Sequence, residues 1–273
     1  MSNVLVAQLG ARKHYQEPAI FHKANSLAIL YTDFYSGNIP FFSGLRNSIV
    51  YDFLPPLIKK ALERYDSNLD GAKVKHFPTF AYHYMQTLRN NNVNGGADLF
   101  IWAGQKFCQS ILDQGIEGIE VIYGFNSASL ELFKFGKEKG IRCILDQTLA
   151  ERSYFYDLII QEQKLWPDWN VREISISSSD IDLSSREQQE RDLADSIECG
   201  SEFVKQSLVE RGNEDKKINV VPLGKTNSLS QVDFVKKTTP REQIEGLRDL
   251  FAGQVSLRKG NPYLQEALQM LEG

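Results

Sequence analysis

Short apolar runs recur along the chain, separated by stretches with the spacing of amphipathic helices. We predict strands at residues 3–9, 27–31, 119–123, 141–145, 218–221 and 247–252. The first run, NVLVAQL, is apolar at nearly every position, as expected for a strand buried on both faces. Strands that alternate with helices of about 10–15 residues predict parallel βαβ units. The expected fold class is therefore α/β, with a doubly wound parallel sheet.

A helix is predicted between two of these strands, at residues 127–139. Leu130, Phe133 and Lys134 are spaced at i, i+3 and i+4, and Gly140 stands where a helix commonly ends in a left-handed residue. Two polar stretches interrupt the alternation. We interpret residues 166–185 as a long surface loop and residues 225–245 as a linker between domains.

The linker divides the chain into a first domain, residues 1–224, and a second segment, residues 246–273, with one predicted strand and one predicted helix. One strand and one helix do not bury a core of their own, since even domains of about 60 residues are marginally stable. We therefore expect the helix at residues 262–271 to pack on the first domain, or the second segment to be the start of a larger domain.

The composition excludes several classes of protein. The net charge of −4 and the pI of about 5.7 argue against a nucleic-acid-binding face, which needs a basic excess or stripe. The longest apolar run, residues 99–104, is far shorter than the roughly 20 residues of a membrane-spanning helix. The N-terminus lacks the basic-then-apolar pattern of an export signal. Three cysteines without CxxC spacing predict a reducing compartment. We expect a cytoplasmic protein.

The common catalytic and cofactor motifs are absent from the sequence. It has no GxGxxG, GxxxxGK[ST], HExxH or GxSxG pattern, so dinucleotide, P-loop, zincin and hydrolase chemistry lack their residues. His76 and His83 are separated by Pro78, which argues against one helix that would present both histidines. We expect no metal site and no cofactor.

The loop after the first predicted strand carries residues suited to binding an anion. Ligands of open parallel sheets bind beyond the carboxyl ends of the strands, and Gly10, Arg12, His14 and Tyr15 lie at such an end. Gly10 permits close approach of the backbone, Arg12 and Lys13 can hold an anion, and His14 can exchange a proton near neutral pH. The alternative is that the charged side chains are solvated and that Tyr15 is partly packed.

Carboxylates follow two other predicted strands. Asp33 comes after the strand at 27–31, and Asp146 with Gln147 comes after the strand at 141–145. Carboxylates at neighbouring strand ends can act as acid or base, or accept hydrogen bonds from sugar hydroxyls. An equally common role for an aspartate just after a strand is to cap the next helix.

A basic loop precedes the last predicted helix. Gln254, Arg258 and Lys259 lie between the predicted strand at 247–252 and the helix at 262–271. Backbone N–H groups and the helix dipole favour an anion at a helix N-terminus, and Lys259 adds a point charge for a phosphate. The alternative is a basic turn without a ligand.

Three motifs in the C-terminal part occur in a recognisable order: SEFVK at 201–205, VVPLG at 220–224, and Gly253 followed by Lys259-Gly260. Residues 192–224 and 247–268, which contain them, resemble retaining glycosyltransferases of family 4, which have the GT-B fold. The N-terminal segments GARKHYQEPAIFHKA and LYTDFY resemble the start of one bacterial branch of that family. The resemblance implies a Rossmann-like acceptor-side domain at 1–224. It also implies an incomplete second Rossmann-like domain, the truncated donor-binding domain, at 246–273.

The resemblance further implies transfer of a sugar, with retention, from a nucleotide-diphosphate sugar to a glycan or lipid-linked acceptor in polysaccharide or glycolipid synthesis. The nucleotide sugar is a co-substrate, and neither a metal nor a cofactor is implied. Lys259 stands where the family binds the donor diphosphate, with Arg258 beside it. Gln254 stands where many members have an arginine, and Gly10 matches a loop that approaches the donor from the acceptor side.

The family's catalytic histidine has no counterpart at the corresponding place, where this chain has Asp146 and Gln147. The candidate catalytic residues are therefore Asp146, Gln147 and His14. The acceptor-side candidates are Arg12, His14, Tyr15 and Asp33. Further expectations are peripheral contact with the inner face of the membrane, a partner chain that supplies the rest of the donor domain, and no nucleic acid.

Two other classes of function remain as alternatives. The first is a catalytically inactive remnant or binding module that keeps only the acceptor-domain fold, because the family's paired donor-binding glutamates have no counterpart in this sequence. The second is a small-molecule-binding protein of the receiver or periplasmic type. It is disfavoured, since the first loop is basic rather than acidic and no export signal is present.

Overall fold

The computed structural model describes residues 2–46, 48–90, 96–169, 175–224 and 250–271. Its strands are β1 (Val4–Gln8), β2 (Leu27–Thr32), β3 (Val74–His76), β4 (Val121–Phe125), β5 (Arg142–Gln147), β6 (Ser196–Cys199) and β7 (Ile218–Val220). They form one seven-stranded sheet in the order β3-β2-β1-β4-β5-β6-β7, and every neighbouring pair is parallel.

Helices connect the strands, as parallel pairing requires. They are α1 (Gln16–Lys23), α2 (Pro40–Arg46), α3 (Pro56–Leu62), α4 (Pro78–Asn90), α5 (Gly96–Leu112), α6 (Leu130–Lys139), α7 (Arg152–Leu165), α8 (Ser178–Leu193), α9 (Glu202–Glu210) and α10 (Asn261–Leu271).

β1 lies between β2 and β4, so the direction in which the chain builds the sheet reverses at the β1/β4 pair. Side chains alternate between the two faces of β1: Leu5 and Ala7 belong to one apolar cluster, Val4 and Val6 to the other. Helices α5, α6 and α8 pack together over the first cluster, and α1 packs over the second. The predicted doubly wound parallel α/β fold is confirmed.

The predicted strands at 3–9, 27–31, 119–123, 141–145 and 218–221 correspond to β1, β2, β4, β5 and β7. β3 and β6 were not predicted, because polar side chains interrupt their short sequences, VKH and SIEC, and leave no apolar run. For the strand predicted at 247–252, residues 247–249 lie outside the described residues, and 250–252 have no regular secondary structure.

The interpretation of residues 166–185 as a surface loop is wrong for its second half, because α8 begins at Ser178. The Ser177 hydroxyl accepts a hydrogen bond from the Asp180 backbone N–H at 3.2 Å, and the Asp180 carboxylate accepts one from the Ser177 N–H at 3.0 Å. This reciprocal pair is a capping box, which stabilises a helix start. The serine-rich sequence therefore opens a helix instead of forming a loop.

The helix predicted at 127–139 is α6, which ends at Gly140 in the left-handed conformation, φ 69°. The helix predicted at 262–271 is α10, and it packs on α7: the Tyr263 hydroxyl donates to Glu162 Oε2 at 2.8 Å, and the Tyr263 and Trp166 rings lie 5.3 Å apart. Both Glu162 and Trp166 belong to the same compact unit as α10, so the expected packing of this helix on the first domain stays a prediction.

By its contacts the chain divides into two compact units, Met1–Ser153 with Ile176–Val221, and Tyr154–Ser175 with Pro222–Gly273. The predicted linker at 225–245 lies outside the described residues, and the predicted domain boundaries stay predictions. Cys108, Cys143 and Cys199 are buried and free. Among the described residues, no helix combines the length and the hydrophobicity needed to cross a membrane.

Candidate functional site

The candidate site lies at the carboxyl ends of β1, β4 and β5, in the first unit. The β1/β4 pair is the topological switch point of the sheet, where the loops after two neighbouring strands diverge and leave a crevice. The loop after β1 contains Gly10, Arg12 and His14, and Asp146 and Gln147 end β5. The structure thus brings these sequence-predicted residues to one edge of the sheet.

The loop after β1 has an unusual backbone. Gly10 has a φ of +86°, and Lys13, His14 and Tyr15 have φ values of 47°, 51° and 63°. A left-handed conformation costs roughly 1–2 kcal/mol for an L-residue with a side chain. Three such residues in succession persist only where the surrounding structure fixes them, and strain of this kind is concentrated at functional sites.

Hydrogen bonds fix this loop at several points. The Gln8 side-chain amide donates to the carbonyl oxygens of Gly10 and Arg12, at 3.1 and 2.9 Å. The Tyr15 hydroxyl donates to the Phe34 carbonyl at 3.2 Å and accepts from Arg64 Nε at 3.0 Å. Tyr15 is therefore a buried anchor, which contradicts the alternative of a partly packed side chain.

Asp146 is fully buried and already engaged. Its Oδ2 accepts from the Lys13 ammonium at 2.6 Å and from the Tyr123 hydroxyl at 2.8 Å, whereas its Oδ1 has no hydrogen-bond partner. Burial raises the pKa of Tyr123, and the neighbouring Asp146 carboxylate raises it further. The Tyr123 hydroxyl therefore stays protonated and remains a donor to Asp146.

Asp33 is also paired rather than free. It accepts hydrogen bonds from the Gly10 backbone N–H and the Thr32 hydroxyl, each at 3.0 Å, and forms an ion pair with Arg64. Neither Asp33 nor Asp146 occupies a helix-capping position, so the capping alternative is wrong for both. Asp33 joins the end of β2 to the loop after β1.

The positive charge of Arg12, unlike that of Lys13, is not neutralised by an ion pair with a described residue. Its guanidinium lies over the Phe125 ring at 5.7 Å and donates to Asn126 Oδ1 at 3.1 Å and Thr148 Oγ1 at 3.3 Å. It has no ion pair with any residue of the described ranges. Burial lowers the pKa of Arg12, opposed by the more distant carboxylates of Glu190 and Asp146. A nearby negative charge would offset this desolvation by stabilising the charged guanidinium.

The backbone of Gly10 faces open space, because a Cβ added to Gly10 would meet no atom within 4 Å. His14 is exposed on the same loop. Gln147 is buried, donates from Nε2 to the Leu149 carbonyl at 2.9 Å, and leaves its Oε1 without a partner. By strand alternation, Gln147 lies on the opposite face of β5 from Asp146.

A second group of residues, which the sequence analysis missed, forms the floor behind Arg12. Glu190 of α8 accepts hydrogen bonds from the backbone N–H groups of Ser127, Ser129 and Leu130, at 2.6, 2.8 and 3.1 Å. A protein carboxylate thus fills the N-terminal end of α6, where an external anion would otherwise bind. The N-terminal end of α6 is therefore not available to an external anion.

Glu187 joins the same floor to Arg152, which belongs to the same unit. It accepts from the Asn126 amide at 3.1 Å and from Arg152 Nη2 at 2.7 Å. Asn126 therefore holds Arg12 on one side and Glu187 on the other. Asn126 lies three residues after the predicted strand at 119–123, and a polar residue near a strand end was the available signal for it. Glu187 and Glu190 gave no such signal, because charged side chains are normally expected on an exposed face.

The predicted diphosphate-binding residues Gln254, Arg258 and Lys259 lie in the second unit and are exposed. They precede α10, whose first residue, Asn261, accepts a hydrogen bond from the Ser256 N–H at 2.8 Å. Gly10, the fourth residue of that prediction, lies in the first unit. The described residues contain no group of three or more His, Cys, Asp or Glu side chains that could hold a metal ion.

Comparison with known proteins concerns the fold alone. No protein-family model matches the sequence, and no curated protein matches it. Among similar solved structures, UGT2 of Phytolacca americana, complexed with UDP-2-fluoro-glucose and pterostilbene, is 9% identical, with a TM-score of 0.44 over 88% of this chain and 57% of that chain. UGT89C1 of Arabidopsis thaliana, complexed with UDP-L-rhamnose, is 14% identical, with a TM-score of 0.42 over 86% and 52%.

A third similar structure is a UDP-glucosyltransferase from Polygonum tinctorium, capable of glucosylating indoxyl, in complex with 3,4-dichloroaniline. It is 12% identical, with a TM-score of 0.38 over 89% of this chain and 56% of that chain. The chain spans little more than half the length of these three structures.

Proposed function

We propose that this chain is part of a retaining glycosyltransferase of the family 4 type that uses a nucleotide-diphosphate sugar. The observation that carries the proposal is the strained loop at residues 10–15. At the switch point of the sheet it presents Arg12, which has no ion pair with any described residue. The motifs SEFVK, VVPLG and Lys259-Gly260 support it from the sequence. The acceptor would be a glycan or a lipid-linked glycan.

In this proposal, catalysis is mostly positioning and electrostatic stabilisation of the leaving diphosphate. Arg12 and the open backbone at Gly10 receive an anionic group of the substrates at the switch point. Lys259 and Arg258, on the exposed loop before α10, supply further positive charge for the diphosphate. Asp146 and Asp33 hold the loop in place through Lys13 and Arg64 and thereby position Arg12.

The proposed setting is the cytoplasm, at the inner face of the membrane. The three buried free cysteines are consistent with a reducing compartment. The reaction needs no metal in this proposal, because the cationic side chains neutralise the diphosphate.

Calorimetric titration with UDP-glucose, GDP-mannose and ADP-glucose tests the proposal. We expect one of them to bind, and Lys259→Gln and Arg12→Met each to weaken that binding about tenfold, the loss expected for one charge-assisted hydrogen bond. Lys164→Gln, an exposed lysine on α7, is the matched control and should leave the affinity unchanged. Equal affinity of Lys259→Gln and the unaltered chain would remove the diphosphate role of Lys259.

A binding module without transfer is the second candidate function. The pairing of Asp146 favours it, because a carboxylate engaged by both Lys13 and Tyr123 is poorly placed to act as a free base. The two functions can be separated by measuring the release of nucleotide from the sugar nucleotide in the presence of glycan acceptors. A transferase should release the nucleotide, and a binding module should not. Glycan binding without any nucleotide-sugar binding would favour the module and overturn the transferase.

A further inference from the structure

A second concave site lies in the first unit, and neither Arg12 nor Asp146 lines it. It is a cleft of about 500 Å³ between the end of β3 and helices α4 and α5. This volume lies within the range of small-molecule sites, about 300–1,000 Å³. The cleft is lined by His76, Phe77, Pro78, Thr79, Phe80, His83, Trp102, Lys106 and Ser110.

One wall of the cleft is an aromatic surface that packs against other aromatic rings behind it. The Phe80 ring is nearly parallel to the Tyr84 ring, at 5.9 Å and 7°, and packs against the buried Phe107 ring at 6.3 Å. The Trp102 indole lies 5.8 Å from Phe80 and is 39% exposed. A planar ring bound here would meet aromatic faces that are already fixed by packing, so little side-chain entropy would be lost.

The polar groups of the cleft come from the same helices. Trp102, Lys106 and Ser110 are spaced at i, i+4 and i+8 on α5 and therefore lie on one face of the helix. His83 of α4 adds an exposed imidazole. Within the part of the chain that the structure describes, the Lys106 ammonium and the Trp102 indole N–H have neither a hydrogen-bond partner nor an ion pair.

His76 presents a fixed hydrogen-bond donor. Its Nδ1 accepts a hydrogen bond from the Tyr35 backbone N–H at 3.2 Å, so the proton of the neutral ring is on Nε2. Burial lowers the pKa of His76, and the Asp33 carboxylate opposes this effect only in part. Because the pKa is lowered, the ring is mostly neutral at pH 7. The cleft therefore offers N–H donors from His76, Trp102 and Lys106.

Among the residues that the structure describes, those that line the cleft include neither a carboxylate nor an amide side chain. A neutral sugar ring carries many hydroxyl donors, which need such acceptors, whereas a carboxylate needs only donors. We propose that this cleft binds an aromatic ring that carries a carboxylate. The ring packs on Trp102 and Phe80, and the carboxylate pairs with Lys106.

Fluorescence titration of the full chain with 2-naphthoate tests this proposal. We expect saturable quenching of tryptophan fluorescence that Trp102→Phe abolishes, since Trp166 and Trp169 lie outside the cleft. Lys106→Gln should weaken binding about five- to tenfold, because it removes the charge partner of the carboxylate. Lys23→Gln, an exposed lysine at the end of α1, is the matched control and should bind as the unaltered chain does.

Neutral 2-naphthamide should bind at least fivefold more weakly than 2-naphthoate, and glucuronate should not displace naphthoate. Equal binding of the acid and the amide, unchanged affinity of Lys106→Gln, or displacement by glucuronate would each overturn the proposal. Equal unfolding midpoints of the Lys106→Gln and Lys23→Gln variants verify that the fold is intact. The titration contains no nucleotide sugar, so its outcome is independent of the proposed transferase activity.

Discussion

The Lys13 ammonium lies 2.6 Å from Asp146 Oδ2, and this ion pair joins the loop after β1 to the end of β5 across the intervening β4. Lys13 also contacts Glu17, one helical turn further on, at 2.8 Å. Burial alone would lower the pKa of Lys13, but hydrogen bonds to Asp146 and Glu17 raise it above its ordinary value. The pair therefore holds the first of the three left-handed residues.

Asp146→Asn should lower the free energy of unfolding by about 2–4 kcal/mol, because it leaves the half-buried Lys13 without its closest anion. Adding Lys13→Met should restore part of the loss, since the uncompensated ammonium is then gone. Urea denaturation measures both changes. Asp215→Asn is the control: it breaks the exposed Lys205–Asp215 pair and should cost less than about 1 kcal/mol. If both variants lost the same free energy of unfolding, burial would not contribute to the effect of the Lys13–Asp146 pair on stability.

His14→Gly should raise the free energy of unfolding by up to about 1 kcal/mol, because the exposed His14 has a φ of 51° and glycine adopts that conformation without steric cost. His22→Gly within α1 is the matched control and should lower it by about 0.5 kcal/mol through helix propensity. Thermal unfolding of both variants provides the comparison. A clear loss of stability in His14→Gly would mean that the imidazole makes a stabilising contact.

Arg12 and Arg64 are two arginines of the site with different partners. Arg64→Met should lower the free energy of unfolding by about 2–4 kcal/mol, because Asp33 loses its ion-pair partner. Arg12→Met should change it by less than about 1 kcal/mol, since Arg12 has no ion pair to lose among the described residues. Stabilisation by pyrophosphate in a thermal-shift assay should disappear in Arg12→Met. A large stability loss in Arg12→Met would assign that residue a structural role instead.

The position of the candidate site was predictable from the sequence. Apolar runs locate the strands, and because parallel strands end at one edge, Gly10, Asp33 and Asp146 had to lie near each other. The Gly10 N–H indeed donates to Asp33 Oδ1. The strand pattern does not predict that Asp146 pairs with Lys13 and Asp33 with Arg64. Those contacts depend on side chains that are distant in the sequence.

The helix α8 could not be found by hydrophobic periodicity, because charged side chains form much of the face it buries. Arg186, Glu187, Glu190 and Arg191 are each less than 5% exposed, and Leu183 is the buried apolar residue among them. A search for apolar residues at helical spacing therefore sees a polar loop. The sequence SSSD at its start was the usable signal, as a capping box requires a serine and an acidic residue three positions later.

Glu190 should make stability depend on pH between about 4.5 and 7. Burial raises the pKa of Glu190 from 4.5 to about 7, against the lowering effects of the Ser129 N–H, the Arg186 guanidinium and the Ser127 N–H. Between these two pH values the folded chain binds a proton that the unfolded chain has released. Rising pH therefore removes up to about 3 kcal/mol of stability across this window, and Glu190 adds no slope on either side of it.

Glu190→Gln removes the titrating group and isolates this effect. The stability of the unaltered chain minus that of Glu190→Gln should fall from pH 4.5 to 7 and be flat outside that window, in urea denaturation followed by circular dichroism. Glu138→Gln, at an exposed position of α6, is the control for the loss of one carboxylate and should give a flat difference. A Glu190→Gln difference that rises with pH would mean that the three backbone N–H groups outweigh burial and that the buried Glu190 carboxylate is ionised throughout.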